Sequence, residues 1–571
     1  MPRTYSDSRC PAPQWSRLLL SGILSFLLLF AFLRLMAGVG GFSIEYLYRQ
    51  GLEALLLLYL YSALYLQLKP RWWRGLLALL PLFFVYMVHD IFYLAYGKVF
   101  RLVNIQELPE LLQILPLGYS AILVAVMLLP LGLLLYSLDY RRPQRLLVWF
   151  SPLLLLAVAV KAAPASFSSV FEQVSAGIVK YSEGKSVEQN GRLAMLAYRE
   201  AQRTLATAQL GPFRDRAGYD GEEAALVATL HPHDTRRNIH LIVLESFLDP
   251  RLFSELRFSS PPVHPDFNAL FGDKLGLSTS PVFGGATAQA EFEVLCGMPA
   301  FEAISSVEFN VFTGASAHCL PGILNDLGYR AAATNTYKPN FFNALPAYQG
   351  MGFTESYFPQ EFSGSRKSYL RVGDTGVEEY IFDRDLFEQN LAFVRRHKTE
   401  HPGQPLFNYV LTIYGHTPHL LDPEQRPERI TLVSSYPDDH LTRAVNQFYY
   451  RTEAIANYVK QLLVIDPQSL IVLVADHVPP LRNGPNTYNA LRYMDNSERA
   501  YYYNRLAILE NGTPRVYPSM HHYELPPLIL DYLSDGAYCR EEPCAFVNGE
   551  QRESRETYRQ RYLKMLAHAS E

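Results

Sequence analysis

The chain has 571 residues, 49% of them apolar, and a formal net charge of −4. That length exceeds one ordinary domain, and a slightly acidic chain without a basic run sets nucleic acid aside as a partner. The apolar residues are unevenly spread, with most of the excess before residue 163.

Five apolar runs open the chain: Leu18 to Met36, Leu52 to Leu68, Gly75 to Tyr96, Leu117 to Leu138 and Leu146 to Ala162. Each approaches the ~20 residues that a helix rising ~1.5 Å per residue needs to cross a bilayer core. So many runs leave no polar faces for a soluble bundle, which predicts a transmembrane domain over 1–162 with five helices. Buried helices are the alternative for the two shorter runs. Lys and Arg mark the retained side of a membrane protein. Arg3, Arg9 and Arg17, then Lys69, Arg71 and Arg74, then Arg141, Arg142 and Arg145 fall on one side, against Arg34, Arg49, Lys98 and Arg101 on the other. Five crossings from a cytoplasmic N-terminus place everything after Ala162 outside, in a multi-pass protein of the cytoplasmic membrane. The first run lacks a small-residue cleavage site and reads as an anchor. Cys10 is then a free cytoplasmic thiol. Cys296, Cys319, Cys539 and Cys544 form an even set in a compartment that permits disulfides, with Cys539 and Cys544 the favoured local pair and four buried free thiols the alternative.

Val99 to Pro116 reads as an amphipathic segment, either along the outer membrane surface or an ordinary loop helix. Residues 163–237 form a connector with helical patterns at Val187 to Leu210 and Glu222 to Leu230, ending in the polar group that starts at His233. From 238 to 535, short β-branched runs alternate with helical patterns, the rhythm of an α/β domain with a mostly parallel sheet covered by helices. Strands are expected at Ile239 to Leu244, Arg330 to Thr334, along the run Pro405 to His416, at Leu470 to Ala475 and at Leu506 to Leu509. Helices are expected at His318 to Leu327, Arg384 to Arg396, Leu441 to Leu463 and Tyr523 to Tyr532. The tail, 536–571, ends in a charged segment from Gly549 that reads as a surface helix.

Three of the strand runs end on chemistry. Ile239 to Leu244 runs into Glu245-Ser246, Leu470 to Ala475 runs into Asp476-His477, and the run from Pro405 ends at Gly415-His416. Ligands of open α/β sheets gather outside the carboxyl ends of the strands, so these endings predict one pocket. A fourth piece, Phe283-Gly-Gly-Ala-Thr287, is a Gly-Gly turn before a helical pattern, with Thr287 where an N-cap belongs. A divalent ion held by Glu245, Asp476 and His477 can also coordinate the Thr287 oxygen and make it a nucleophile toward phosphorus or sulfur. Mixed oxygen and nitrogen ligation suits zinc, manganese or, less well, magnesium. His416 stands opposite, able to donate a proton to a departing oxygen.

These motifs, Leu244-Glu245-Ser246-Phe247, Gly284-Gly-Ala-Thr287 with Glu291-Phe292, Gly415-His416-Thr-Pro and Ala475-Asp476-His477, resemble the alkaline phosphatase and sulfatase superfamily. With its apolar runs the chain is similar to the lipoteichoic acid synthase and phosphoglycerol transferase branch. The resemblance implies Glu245, Asp476 and His477 as metal ligands with manganese the first choice, Thr287 as ligand and nucleophile, and His416 as a substrate-pocket residue. It implies transfer of phosphoglycerol from phosphatidylglycerol, through a covalent phospho-threonine, to a glycan or lipid acceptor outside the membrane. The run Asn335-Thr-Tyr337-Lys338-Pro-Asn-Phe-Phe342-Asn-Ala344 departs from the branch. Asn335, Tyr337, Phe342 and Ala344 stand where lipoteichoic acid synthases carry His, Asp, Trp and Arg. Asn335, Phe342 and Lys338 are therefore candidate substrate contacts in an altered head-group pocket, with Lys338 a replacement cation for phosphate. Phosphoethanolamine transfer and a non-catalytic binding protein that keeps the fold are the alternatives. A sulfatase nucleophile is rejected, because Cys319-Leu-Pro-Gly-Ile323 has Ile where that motif needs Arg. His521 and His522 are weaker candidates for the same pocket.

Overall fold

The computed structural model describes residues 14–39, 41–43, 52–71, 73–96, 98–141, 143–179, 183–230, 237–542, 544–548 and 554–571. Arg3, Arg9, Cys10, Arg49, Arg142 and the stretch from His233 to Arg236 lie outside them. The chain divides into two compact units, Met1–Leu205 and Ala206–Glu571.

In the first unit, apolar helices cover Gln14–Gly38, Leu52–Gln67, Arg74–Tyr96, Leu117–Ser137 and Pro143–Ala162. Three of them, over Leu19–Gly38, Arg74–Leu94 and Leu117–Ser137, are long and apolar enough to cross a membrane. Leu147–Ala162 reaches that length only together with Pro164–Val174, across a bend of 112°. Leu52–Gln67 has 16 residues, about 24 Å of helix. Five helices thus stand where five spans are expected, and three have full span character.

The two ends of Leu52–Gln67 differ in chemistry. At its C-terminal end, Leu68 bridges Leu138 and the Asp139 N–H donates to the Gln67 carbonyl at 2.9 Å, which joins the cationic loops before Arg74 and after Asp139. At its N-terminal end, the buried Glu53 accepts from the backbone N–H groups of Leu193 and Ala194, both at 2.9 Å. Arg192 beside them pairs with Asp90 at 2.6 Å, both side chains fully buried. Glu53 explains a correction. The helix expected from Val187 to Leu210 breaks at Gly191, where φ is 94° and a Cβ would lie 2.4 Å from the Glu53 side chain. The Val99 to Pro116 segment is a 3-10 turn, Leu102–Glu107, followed by a short helix, Leu108–Ile114.

The second unit is built on a nine-stranded sheet: β1 (Ile239–Leu244), β2 (Gly276–Thr279), β3 (Arg330–Asn335), β4 (Glu355–Tyr357), β5 (Leu406–Leu411), β6 (Leu470–Ala475), β7 (Tyr503–Glu510), β8 (Thr513–Arg515) and β9 (Met520–His521). The order is β4-β3-β5-β1-β6-β7-β2-β9, with β8 on β7. All pairs from β4 to β6 are parallel, whereas β7 is antiparallel to β6 and β2. Strands β1, β5 and β6 are buried along their whole length, as a parallel sheet covered on both faces requires. Ile239, Leu241 and Val243 enter one core with the helices Thr287–Cys296, Leu320–Asp326 and Leu525–Leu533. Ile242 and Leu244 enter the other, with Asp383–Glu400 and Asp439–Ile465.

The surface reading of the terminal helix is wrong. Arg555–Ala569 buries Tyr562, Leu563, Met565, Leu566, Ala567 and Ala569 in the first core. Its charges crowd the first two turns and its apolar residues the last two, so the early turns mask a core element. The local disulfide Cys539–Cys544 is present, and Cys296–Cys319 is also joined, in place of free thiols.

Candidate metal and nucleophile site

Register brings the first candidate ligands together. Leu244 pairs with Ala475 and Val243 with Leu411, so β1, β6 and β5 end at one level. The next residues are Glu245, Asp476 and Thr412. Ser246, at φ 47°, turns its N–H onto Asp476 Oδ1 at 2.7 Å and its hydroxyl onto Glu245 Oε1 at 2.7 Å. Asp476 Oδ1 also accepts from the His477 N–H at 2.6 Å, while Asp476 Oδ2 is buried without a hydrogen-bond partner. His477 Nδ1 lies 3.0 Å from the Val478 carbonyl and donates to it. That bond fixes the tautomer with the Nε2 lone pair facing inward. Nε2 is 3.3 Å from Asp476 Oδ2 and 3.9 Å from Glu245 Oε1.

Thr287 closes the group from another element. Its hydroxyl donates to Glu245 Oε2 at 2.9 Å and lies 3.4 Å from His477 Nε2. It is the first residue of the helix Thr287–Cys296 rather than its N-cap. Ala286 caps at φ 59° and makes no side-chain cap bond. The Thr287 oxygen is therefore not spent on the helix. Gly284 and Gly285 precede it at φ 68° and 154°, and the Gly284 N–H donates to the Val478 carbonyl at 3.1 Å. This docks the Gly284-Gly285 turn on the His477 loop.

One ligand atom from each of Glu245, Asp476 and His477 lies within 4.8 Å of the others, and all three residues are buried. Burial opposes ionisation of Glu245, but the His477 and His416 rings, when they carry a proton, and the Ser246 hydroxyl hold its carboxyl below the usual range. Burial and the charge of Glu245 push Asp476 well above its own. Two adjacent buried carboxylates, an unpartnered carboxylate oxygen and an inward imidazole lone pair fit a divalent cation, which satisfies all three at once.

His416, half-buried beyond β5, has Nδ1 2.8 Å from the Thr417 carbonyl and 3.2 Å from the Tyr380 hydroxyl. Asn335 is buried, donating to the Tyr348 hydroxyl at 2.9 Å and accepting from the Tyr337 N–H at 2.9 Å. Phe342 packs on Phe341, ring centres 4.6 Å apart, and Lys338 Nζ sits 5.2 Å from the Tyr337 ring centre. His522 is buried, with Nε2 2.8 Å from the carbonyl of Ala475, so it braces the end of β6. His521 stacks on Tyr523.

One polar partner escapes sequence reasoning, and another, Glu291, is part of the Thr287 motif without a role assigned to it. Tyr380 carries no motif. Glu291, four residues beyond Thr287, accepts from the hydroxyls of Tyr409, at 2.7 Å, and Tyr348, and burial pushes it up to about 7. The spacing of Glu291 from Thr287 was the available signal, since i and i+4 share a helix face.

The Sulfatase family profile matches residues 237–535, more than half of the chain. A protein of Haemophilus influenzae with no described function is 30% identical over 200 residues, 34% of this chain and 34% of its own. A lipoteichoic acid synthase of Staphylococcus saprophyticus is 24% identical over 254 residues, 42% of this chain and 36% of its own. The matches thus span about a third of these relatives. Among solved structures, the phosphoglycerol transferase GacH of Streptococcus pyogenes, in complex with sn-glycerol-1-phosphate, is 19% identical. Its TM-score is 0.46, over 62% of this chain and 91% of that one.

Proposed function

The chain belongs to the Sulfatase family, and on that footing we propose that it is a membrane-anchored, metal-dependent transferase that moves phosphoglycerol from a phospholipid to an acceptor outside the membrane. The observation that carries this reading is the Thr287 hydroxyl, uncommitted to its helix, 2.9 Å from Glu245 and 3.4 Å from His477.

Glu245, Asp476, His477 and Thr287 would hold the cation, manganese by preference and zinc or magnesium otherwise. When bound, it lowers the pKa of the hydroxyl and offsets phosphate charge. Thr287 Oγ1 attacks phosphorus of the lipid phosphodiester as its proton passes to Glu245 Oε2, which it already faces. The bond from phosphorus to the diacylglycerol oxygen breaks, and the threonine carries the phosphoglyceryl group. His416, steadied by Tyr380, supplies the proton that makes the departing oxygen diacylglycerol. An acceptor hydroxyl on a glycan or lipid then attacks the phospho-threonine, giving its proton to His416, and the phosphorus–Oγ1 bond breaks as Glu245 returns the Thr287 proton. Lys338 beside Tyr337 is suited to the donor phosphate. We take Asn335 and Phe342 as further contacts to the donor head group. The apolar helices over Leu19–Gly38, Arg74–Leu94 and Leu117–Ser137 support a lipid donor.

Purified protein with manganese and labelled phosphatidylglycerol should release diacylglycerol, and Thr287→Ala should lower the rate by about 10³-fold or more. Release from phosphatidylethanolamine instead would move the assignment to phosphoethanolamine transfer. Release from neither lipid, with metal bound, would favour a binding protein that keeps the fold.

A further inference from the structure

The carboxylate of Glu245 serves the site only if its backbone is held, and two side chains from distant parts of the chain hold it. The Glu245 N–H donates to Thr412 Oγ1 at 3.0 Å, and the Glu245 carbonyl accepts from Arg451 Nη1 at 2.7 Å. Arg451 Nη2 donates to the same Thr412 oxygen at 3.2 Å. One guanidinium and one hydroxyl thus grip both sides of one residue. Thr412 follows β5 and continues its ladder, donating its N–H to the Val243 carbonyl at 3.0 Å. Arg451 comes from the middle of the helix Asp439–Ile465. Asp383, the first residue of the helix Asp383–Glu400, takes Arg451 Nε at 2.7 Å and aims the fork.

The Arg451 and Asp383 side chains are 2% and 0% exposed. A buried ion pair is a poor source of stability, because desolvation offsets its attraction. Its value here lies in direction: three of the guanidinium's donors point at three fixed acceptors, a geometry that lysine's single ammonium cannot copy. The chain also keeps the fork's path clear. At Gly415 a Cβ would lie 2.1 Å from the Glu245 carbonyl oxygen and 2.2 Å from Arg451 Nη1.

We propose that Arg451 and Thr412 are positioning residues that hold Glu245 level with Asp476 and His477 and thereby set the affinity of the site for a divalent cation. The proposal rests on the reading of those three residues as metal ligands. Groups that orient metal ligands are worth about 10–100-fold in affinity when removed.

Manganese is titrated calorimetrically into the full-length protein in detergent, unchanged and as Thr412→Val, Thr412→Ser and Arg451→Lys, with melting recorded in chelator. Thr412→Val, which keeps shape and loses the acceptor, should weaken manganese binding by about 10–100-fold while melting near the unchanged chain. Thr412→Ser should restore most of the affinity. Arg451→Lys should fall between, and if it fails to fold the two threonine variants carry the test. Thr412→Val binding manganese as tightly as the unchanged chain would overturn the clamp and leave the ligand set standing. An unchanged chain that binds no divalent cation would overturn both.

Discussion

Ser246 adopts φ 47°, a left-handed conformation that side chains other than glycine rarely take. The turn lets one residue touch two proposed ligands, its N–H on Asp476 and its hydroxyl on Glu245, both at 2.7 Å. Strain of this kind persists where surrounding contacts over-determine it. Gly415 shows the opposite solution, a residue chosen for lack of a side chain. Gly415→Ala should destabilise the protein by about 1–3 kcal/mol through overpacking, measured by denaturant titration. It should also weaken manganese binding, because the colliding atoms belong to Glu245 and Arg451. An alanine variant of unchanged stability and affinity would contradict that account.

At the scale of elements, the helix Thr287–Cys296 carries the proposed nucleophile, the Thr287 hydroxyl, at one end and a disulfide to Cys319 at the other. Between them it buries Gln289, Glu291 and Glu293. Burial pushes the Glu293 carboxyl up to about 8, even with the Ala300 N–H as donor, and pushes Glu308 up to about 7. Such groups are neutral in the fold and ionised in the unfolded chain above the ordinary 4.5. Their contribution to stability is full below that value and is lost as pH rises through the folded value. Glu293→Gln removes the titrating proton, so its melting temperature should fall less between pH 4.5 and about 8 than that of the unchanged chain. Parallel melting profiles would contradict the assignment.

Elements were legible where pattern and chemistry coincide. The buried strands β1 and β6 announced themselves by running into Glu245 and Asp476-His477, whereas β5 stops at Leu411, short of the His416 ending its apolar run suggested. Strands β4 and β9, of three and two residues, are too short to carry a period. The break at Gly191 depends on Glu53, far away in sequence, and the helix Arg555–Ala569 hides its buried half behind charged early turns. Thr287 stands out in the sequence partly as an N-cap, a place that Ala286 takes instead. Arg451 left no local trace, since an arginine inside a long amphipathic helix reads as surface until its acceptors are seen.

At the scale of the whole molecule, the first unit sorts its polar groups by end. The cationic loop at Lys69 and Arg71 meets Asp139 at one end of Leu52–Gln67, and Glu53, Asp90 and Arg192 gather at the other. On the expectation that basic loops stay in the cytoplasm, the connector after Ala162 would emerge outside, in a compartment where disulfides such as Cys296–Cys319 and Cys539–Cys544 are stable. A reporter fused after Glu571 should therefore be active only when it is of the kind that works outside the cytoplasm. Activity of a cytoplasmic reporter would reverse the orientation.

The central claim is that the Thr287 oxygen becomes covalently bound to a phospholipid head group. Intact-mass and peptide mass spectrometry of the manganese-loaded protein, exposed to phosphatidylglycerol and quenched in acid, tests it directly. The account predicts one phosphoglyceryl group on the peptide containing Thr287, absent from Thr287→Ala. Diacylglycerol release with no adduct on Thr287, or an adduct on another residue that survives Thr287→Ala, would contradict it.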